Sequence, residues 1–269
     1  MAASAGAELD LSAILLQQRN RIERVASRFG VTGDIHEQDM LFDFLVRNVY
    51  RADPGMAVDA YFEDGEDSCH RFAGLCREHG QGAVRTVLEF AAGYGRVARH
   101  AHRSMPDVQW TCCDIHPRAV EYVRSQIGLE GILSSSRPET LDLQGRRFDV
   151  VFALSFFSHM PHATFGPWLM RLFDAVSPTG LLIFTTHGEV SARNRRRGGL
   201  PVEFNEDGLA WYQASDQRDI SPSEYGTSYV TFAYVHRLVE RLSGASLIRY
   251  QQGWWWTHQD LYILRREGT

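Results

Sequence analysis

The stretch Val87-Leu88-Glu89-Phe90-Ala91-Ala92-Gly93-Tyr94-Gly95-Arg96 decides how this chain is read. An apolar strand ends in an acid and passes into a turn with two glycines. Without a Cβ at Gly93 and Gly95 the backbone can approach a ligand closely, and a helix begun at Arg96 would aim its first amides at the same place. An acidic side chain and exposed amides at one strand end describe a cradle for a nucleotide-type cofactor.

Around this stretch, short apolar runs alternate with amphipathic segments. Strands are expected at Thr86 to Phe90, Gln109 to Cys113, Gly131 to Ser134, Phe148 to Ala153 and Leu181 to Thr186, with helices near Val97, Ala119 and Trp168. Such alternation implies an α/β fold, a parallel sheet with right-handed crossovers covered on both faces. The last unit differs. A helix from Tyr229 to Leu242 stops at Gly244, and Leu247 to Gln251 with Leu261 to Arg265 forms a hairpin, so one strand runs antiparallel. Upstream, residues 9–80 carry helical apolar stripes, Leu11, Ile14, Leu15, Ile22, Val25 and Phe29 and then Met40, Leu41, Phe44, Leu45 and Val49. A third helix is expected from Asp67 and Ser68 to Gly80, with Tyr61-Phe62-Glu63-Asp64-Gly65 as a turn before it. The expected organisation is a helical cap over 1–80 and a cofactor-binding domain over 81–269, with 188–227, too long for an ordinary connection, as a lid insertion.

Composition narrows the partners. With 269 residues, 44% of them hydrophobic, and a formal net charge of -5, the chain can bury a full core and carries no overall basic field for nucleic acid or an anionic membrane. A small-molecule partner is favoured. Cys69, Cys76, Cys112 and Cys113 lack zinc-like spacing, so reduced thiols and no metal are expected. The first residues lack the basic start and apolar run of a secretory leader, and no apolar run approaches the ~20 residues of a membrane span. A cytoplasmic location is the expectation.

Ligands of open parallel sheets bind outside the carboxyl ends of the strands. That rule gathers Glu89 and the turn 91–95, then Asp114, Ile115 and His116, then Ser134, Ser135 and Ser136 into one crevice. Asp114 follows the turn by about twenty residues, the interval at which an acid accepts bonds from ribose hydroxyls. Each acid has a plainer use, capping the helix that follows, and the glycines could merely make a tight turn.

Together, Val87 to Arg96, Cys113-Asp114-Ile115-His116-Pro117, Phe148 to Pro161 and Ser177 to Gly188 make the chain resemble the class I S-adenosylmethionine-dependent methyltransferases from about residue 84 to the end. The resemblance implies a Rossmann-like, doubly wound seven-stranded sheet with an antiparallel last strand, and S-adenosylmethionine as cofactor. It further implies that Glu89 holds the methionine end through the adjoining turn, that Gly93 and Gly95 contact the cofactor through backbone beside Ala91 and Arg96, and that Asp114 binds the ribose. Ile115 would pack on adenine, with Ser136 or Arg137 at its rim and Leu154 nearby. Ala91 stands where the family usually has its first glycine. A nicotinamide dinucleotide fits less well, because Glu89 would repel a pyrophosphate but attract a methionine ammonium.

For a hydroxyl acceptor a base is needed, and the strand-end rule nominates His187, His258 and His159, in that order. Asp260 is a candidate to orient His258, and Glu189 to orient His187 or bind a substrate cation. Trp254, Trp255 and Trp256 are expected at the substrate rim, with Tyr61, Trp211, Tyr212, Tyr225 and Tyr229 as lid or core aromatics. The arginines from Arg193 to Arg197 invite a polyanion, yet the acidic whole speaks for a solvated loop. The expected function is methyl transfer to a small molecule, with oxygen of a sugar or secondary metabolite preferred. Nitrogen or macromolecular acceptors, and a non-catalytic cofactor-binding protein, are the alternatives. The helical N-terminus is a candidate either to cap the pocket or to pair two copies.

Overall fold

A computed structural model describes residues 10–213 and 220–268. Residues 1–9, on which the leader expectation rests, residues 214–219 of the insertion and Thr269 lie outside the described residues. The helical layer comes first: α1 (Leu11–Phe29), α2 (Met40–Phe44) continued by a π turn over Leu45–Val49, and α3 (Pro54–His79). Their starts are chemically marked. Asp10, Asp39 and Asp53 each accept two backbone N–H bonds of the first turn, and Pro54 supplies a first helical residue that has no N–H to leave unpaired.

α3 corrects the expected turn at Tyr61 to Gly65, which is continuous helix. Gly65 is there for room rather than for bending, because an added Cβ would run into the backbone carbonyl of Arg96. Downstream lie β1 (Thr86–Phe90), α4 (Ala101–Ser104), β2 (Gln109–Asp114), α5 (Pro117–Tyr122), β3 (Glu130–Leu133), β4 (Phe148–Ala153), α6 (His162–Asp174) and β5 (Val176–His187). The helix expected to start at Arg96 is only a 3-10 turn over Ala98–His100 followed by the single turn of α4. The second half of α3 covers that side of the sheet instead, with Cys69, Phe72, Leu75 and Cys76 packed among Val87, Trp110 and Phe152.

The segment between β5 and α8 (Phe232–Val239) holds α7 (Glu189–Arg197) and a two-stranded antiparallel ribbon, β6 (Leu209–Tyr212) with β7 (Thr227–Val230), that the sequence reading did not foresee. Tyr229 belongs to this ribbon, which is why α8 is shorter than expected. β8 (Ala245–Trp255) and β9 (Gln259–Arg266) close a seven-stranded sheet of order β3-β2-β1-β4-β5-β9-β8. β9 is antiparallel to both β5 and β8, as expected of the last strand. The strand order reverses between β1 and β4, so the crevice for a ligand opens at their carboxyl ends. Among the described residues no helix is long and apolar enough to cross a membrane.

Candidate active site

A cavity of about 1790 Å³ opens at those strand ends, and α1, α2 and the π turn contribute to its wall. On the β1 side Glu89 is buried, and its Oε2 accepts a bond from the Trp110 indole N–H at 3.0 Å. Burial pushes its carboxyl up to about 8, against the pull of that bond and of Arg96. The following turn is left-handed at Ala91, Gly93 and Gly95. Asp114 braces it: Oδ2 accepts from the Gly93 N–H at 2.7 Å, while Oδ1 accepts from the His116 N–H at 3.0 Å and faces its Nδ1 at 2.8 Å. Asp114 therefore braces the turn and the entry to α5, which has no side-chain cap, and lies on the cavity wall with Ile115, Leu154 and the exposed Ser136 and Arg137.

Three histidines from distant sequence converge on the same cavity. The rings of His159 and His187 are 6.1 Å apart, and those of His187 and His258 6.0 Å. His159 Nδ1 donates to the Gly226 carbonyl at 2.8 Å and His258 Nδ1 to the Trp256 carbonyl at 2.8 Å, so in the neutral rings Nε2 carries the lone pair. Tyr225 stacks flat on His159 at 4.5 Å. His187 differs. Burial, together with the two neighbouring histidines, pushes its imidazole down to about 3. Beneath them Thr185 Oγ1 donates to Gln259 Oε1 at 2.6 Å, and Gln259 Nε2 donates to Ser155 Oγ at 2.8 Å. Ser155 N–H in turn donates to Thr185 Oγ1 at 2.8 Å, a closed ring that holds Ser155 at φ 61 on the cavity wall.

Residues 88–182 match the family described as "Methyltransferase domain". The fold agrees with a crystal structure of an S-adenosylmethionine-dependent methyltransferase from Clostridium acetobutylicum, at TM-score 0.55 and 15% identity over 84% of this chain and 98% of that one. Residues 88–182 thus carry the methyltransferase-domain match, and the fold around them is that of an S-adenosylmethionine-dependent methyltransferase. A second structure with this fold is a magnesium protoporphyrin IX methyltransferase from Synechocystis with bound S-adenosylhomocysteine, at TM-score 0.54 and 11% identity over 95% of this chain and 97% of that one. A Pseudomonas putida protein named "Probable fatty acid methyltransferase" is 25% identical over 175 residues, 64% of this chain. The chain spans 42% of that protein's length.

S-adenosylmethionine is the cofactor of such a methyltransferase domain, and the residues fit it. A Cβ on Gly93 would meet nothing within 4 Å, so its bare backbone faces open cavity, between a buried acid suited to an ammonium and a carboxylate suited to hydroxyls. Several expected site residues stand elsewhere in the methyltransferase domain or its cap. Gly95 is absent from the wall; its missing Cβ makes room for Ile127. Arg96 does reach the cavity, over the Trp256 ring at 5.1 Å and 3.8 Å from Asp64.

Of the three tryptophans only Trp256 lines the cavity. Trp255 is buried beneath the sheet with its indole N–H on Ser68, and Trp254 lies between Arg71 and Arg249. Tyr61 is buried in α3 with its hydroxyl on Asp39, Trp211 packs against the core under the ribbon, and Glu189 starts α7 away from the wall. Asp260 accepts from Gly253 N–H and Tyr250 hydroxyl rather than orienting His258. Sequence reasoning missed Ser155, Gln259 and the α2 wall. Ser155 follows β4 and was within reach of the strand-end rule, whereas Gln259 needed the β5–β9 register that sets it opposite His187.

Proposed function

We propose that the protein is an S-adenosylmethionine-dependent methyltransferase acting on a small molecule, with a hydroxyl oxygen as the preferred acceptor. The observation that carries this reading is that the Glu89–Gly93–Asp114 cradle and the histidine cluster share one cavity. Its volume, about 1790 Å³, exceeds the roughly 300–1,000 Å³ of single-ligand pockets, which suits a cofactor and an acceptor held side by side. The chemistry supplied by bound S-adenosylmethionine is an electrophilic methyl group. Glu89 and the amides of the turn would hold its methionine end, and Asp114 its ribose. His159 would accept the acceptor's proton at Nε2 as the new O–C bond forms and the methyl–sulfur bond breaks, the thioether S-adenosylhomocysteine being the leaving group, with Gly226 fixing the His159 tautomer. His258 has the same tautomer and is the second candidate. His187, with its imidazole at about 3, stays neutral and is too weak a base for a hydroxyl; its role would be packing and polarity around the other two.

A small molecule is favoured over a polyanion because the arginines of α7 are partly spent on internal contacts. Arg195 lies over the Tyr212 and Tyr229 rings, and Arg196 donates to the Val202 carbonyl. The core test is calorimetric titration of S-adenosylmethionine and S-adenosylhomocysteine into the wild type and Asp114→Ala. The reading expects binding to the wild type and a loss of about tenfold or more in the variant, roughly the worth of one or two charge-assisted hydrogen bonds. No binding to the wild type, or equal affinity in both, overturns it.

A further inference from the structure

Among the described residues nine large hydrophobic side chains are exposed, and three of them, Leu41, Phe44 and Val49, fall within one nine-residue stretch and line the same cavity. Scattered single exposures need no explanation, but a cluster on a cavity wall marks a binding surface. The backbone explains how it arises. On an uninterrupted α-helix Val49 would share the face of Phe42, Leu45 and Val46, which are buried in the cap core. The π turn over Leu45–Val49 carries an extra residue per turn and rotates Val49 out of that face, leaving it 50% exposed beside Leu41 and Phe44 at 37% and 36%. Charges on the same segment are already engaged: Arg47 donates to Asp43 at 2.6 Å, and Glu37 accepts the Ser12 hydroxyl at 2.6 Å. Met160, Ala163 and Pro167 add further apolar surface to the cavity.

We infer that the acceptor carries an extended apolar portion that lies against the Leu41–Phe44–Val49 wall while its reacting oxygen sits at the histidines. This rests on the methyltransferase reading and names its substrate class: molecules with a hydrocarbon tail or an apolar ring system, rather than free sugars. The cavity's size follows from it, since the tail occupies the space that cofactor and reacting group leave.

The probe is a series of unbranched primary alcohols from butanol to decanol, competing with anilinonaphthalene sulfonate for the protein saturated with S-adenosylhomocysteine. Wild type is expected to bind each longer alcohol about threefold to fourfold more tightly, the worth of one buried methylene. In Leu41→Ser/Phe44→Ser/Val49→Ser, whose sites are exposed enough to tolerate the change, the increment should fall by at least half with S-adenosylhomocysteine affinity unchanged. If the triple variant loses that affinity, Phe44→Ser alone carries the comparison. A flat series in wild type, or the same increment in the variants, overturns the inference while leaving the methyltransferase reading intact. Absence of S-adenosylhomocysteine binding to wild type would defeat that reading itself.

Discussion

Glu89, next to the last residue of β1, has its carboxyl buried and held by one indole N–H, so it keeps its proton at neutral pH. A methionine ammonium beside it favours the ionised form, and binding must then expel that proton. S-adenosylmethionine binding is therefore expected to release close to one proton below pH 8 and to tighten as pH rises, by up to about tenfold per unit. Calorimetry in buffers of different ionisation enthalpy reads the release directly. Glu89→Gln should show none; equal release in both proteins would remove Glu89 from the methionine site. Stability has a defined sign too. The unfolded carboxyl titrates near 4.5 and the native one at about 8, so the native state binds more protons between them. The stability that Glu89 lends is full below 4.5 and is lost as pH rises to about 8. Glu89→Gln should thus gain in midpoint relative to wild type between pH 5 and pH 8.

The connection between α1 and α2 is fastened to the cofactor turn rather than resting on it. Arg99 donates to the Thr32, Asp34, Tyr94 and Gly95 carbonyls and to the Tyr61 hydroxyl, at 3.0–3.3 Å, and Tyr122 donates to the Asp34 carbonyl. His36 stacks on Tyr94 at 4.7 Å. Tyr94 lies between the two glycines, so a displaced cap disturbs the turn that faces the cofactor. Arg99→Met should cost about 1–3 kcal/mol or more, the usual loss when buried acceptors are left without their donor. It should also weaken S-adenosylhomocysteine binding, and Arg99→Lys should not restore it, because an ammonium cannot span five acceptors laid out for a planar fork. Denaturant midpoints and calorimetry check both; rescue by lysine would refute the clamp.

The same element shows what the sequence could and could not carry. β1 and β4 were legible to the residue because parallel strands buried on both faces are nearly continuous apolar runs, interrupted here only by Glu89 and Asp149 after the initial Thr86. Gly65 was misread because nothing local tells a glycine that bends a chain from one that admits a neighbour's carbonyl. The tryptophans divided for a related reason. Trp256 and Thr257 both adopt positive φ within the three-residue hairpin loop 256–258, a conformation unusual for such side chains, and the loop delivers Trp256 to the cavity while Trp255 points into the core. Local pattern found the cofactor cradle; the acceptor wall depends on a π turn and on distant pairings.

At the scale of the whole molecule α3 belongs to two cores. Its first half supplies Ala57, Val58, Tyr61 and Phe62 to the cap core, and its second half supplies Cys69, Phe72, Leu75 and Cys76 to the core beneath the sheet. A boundary drawn at residue 80 therefore does not separate two packing units. Cap and sheet should unfold in one transition, with hydrogen exchange of the α1 amides and fluorescence of the sheet-side tryptophans moving at the same midpoint. Gly65→Ala tests this at the middle of the shared helix. Helix propensity alone would make it stabilising by about 1 kcal/mol. The new methyl, however, is driven against the Arg96 carbonyl, which belongs to the sheet-side layer, and such overpacking costs roughly 1–3 kcal/mol. The expected result is a lower midpoint by the same amount for both probes. If the α1 amides lose protection first and the tryptophan transition stays put, the cap is an independent body and α3 does not couple the two cores.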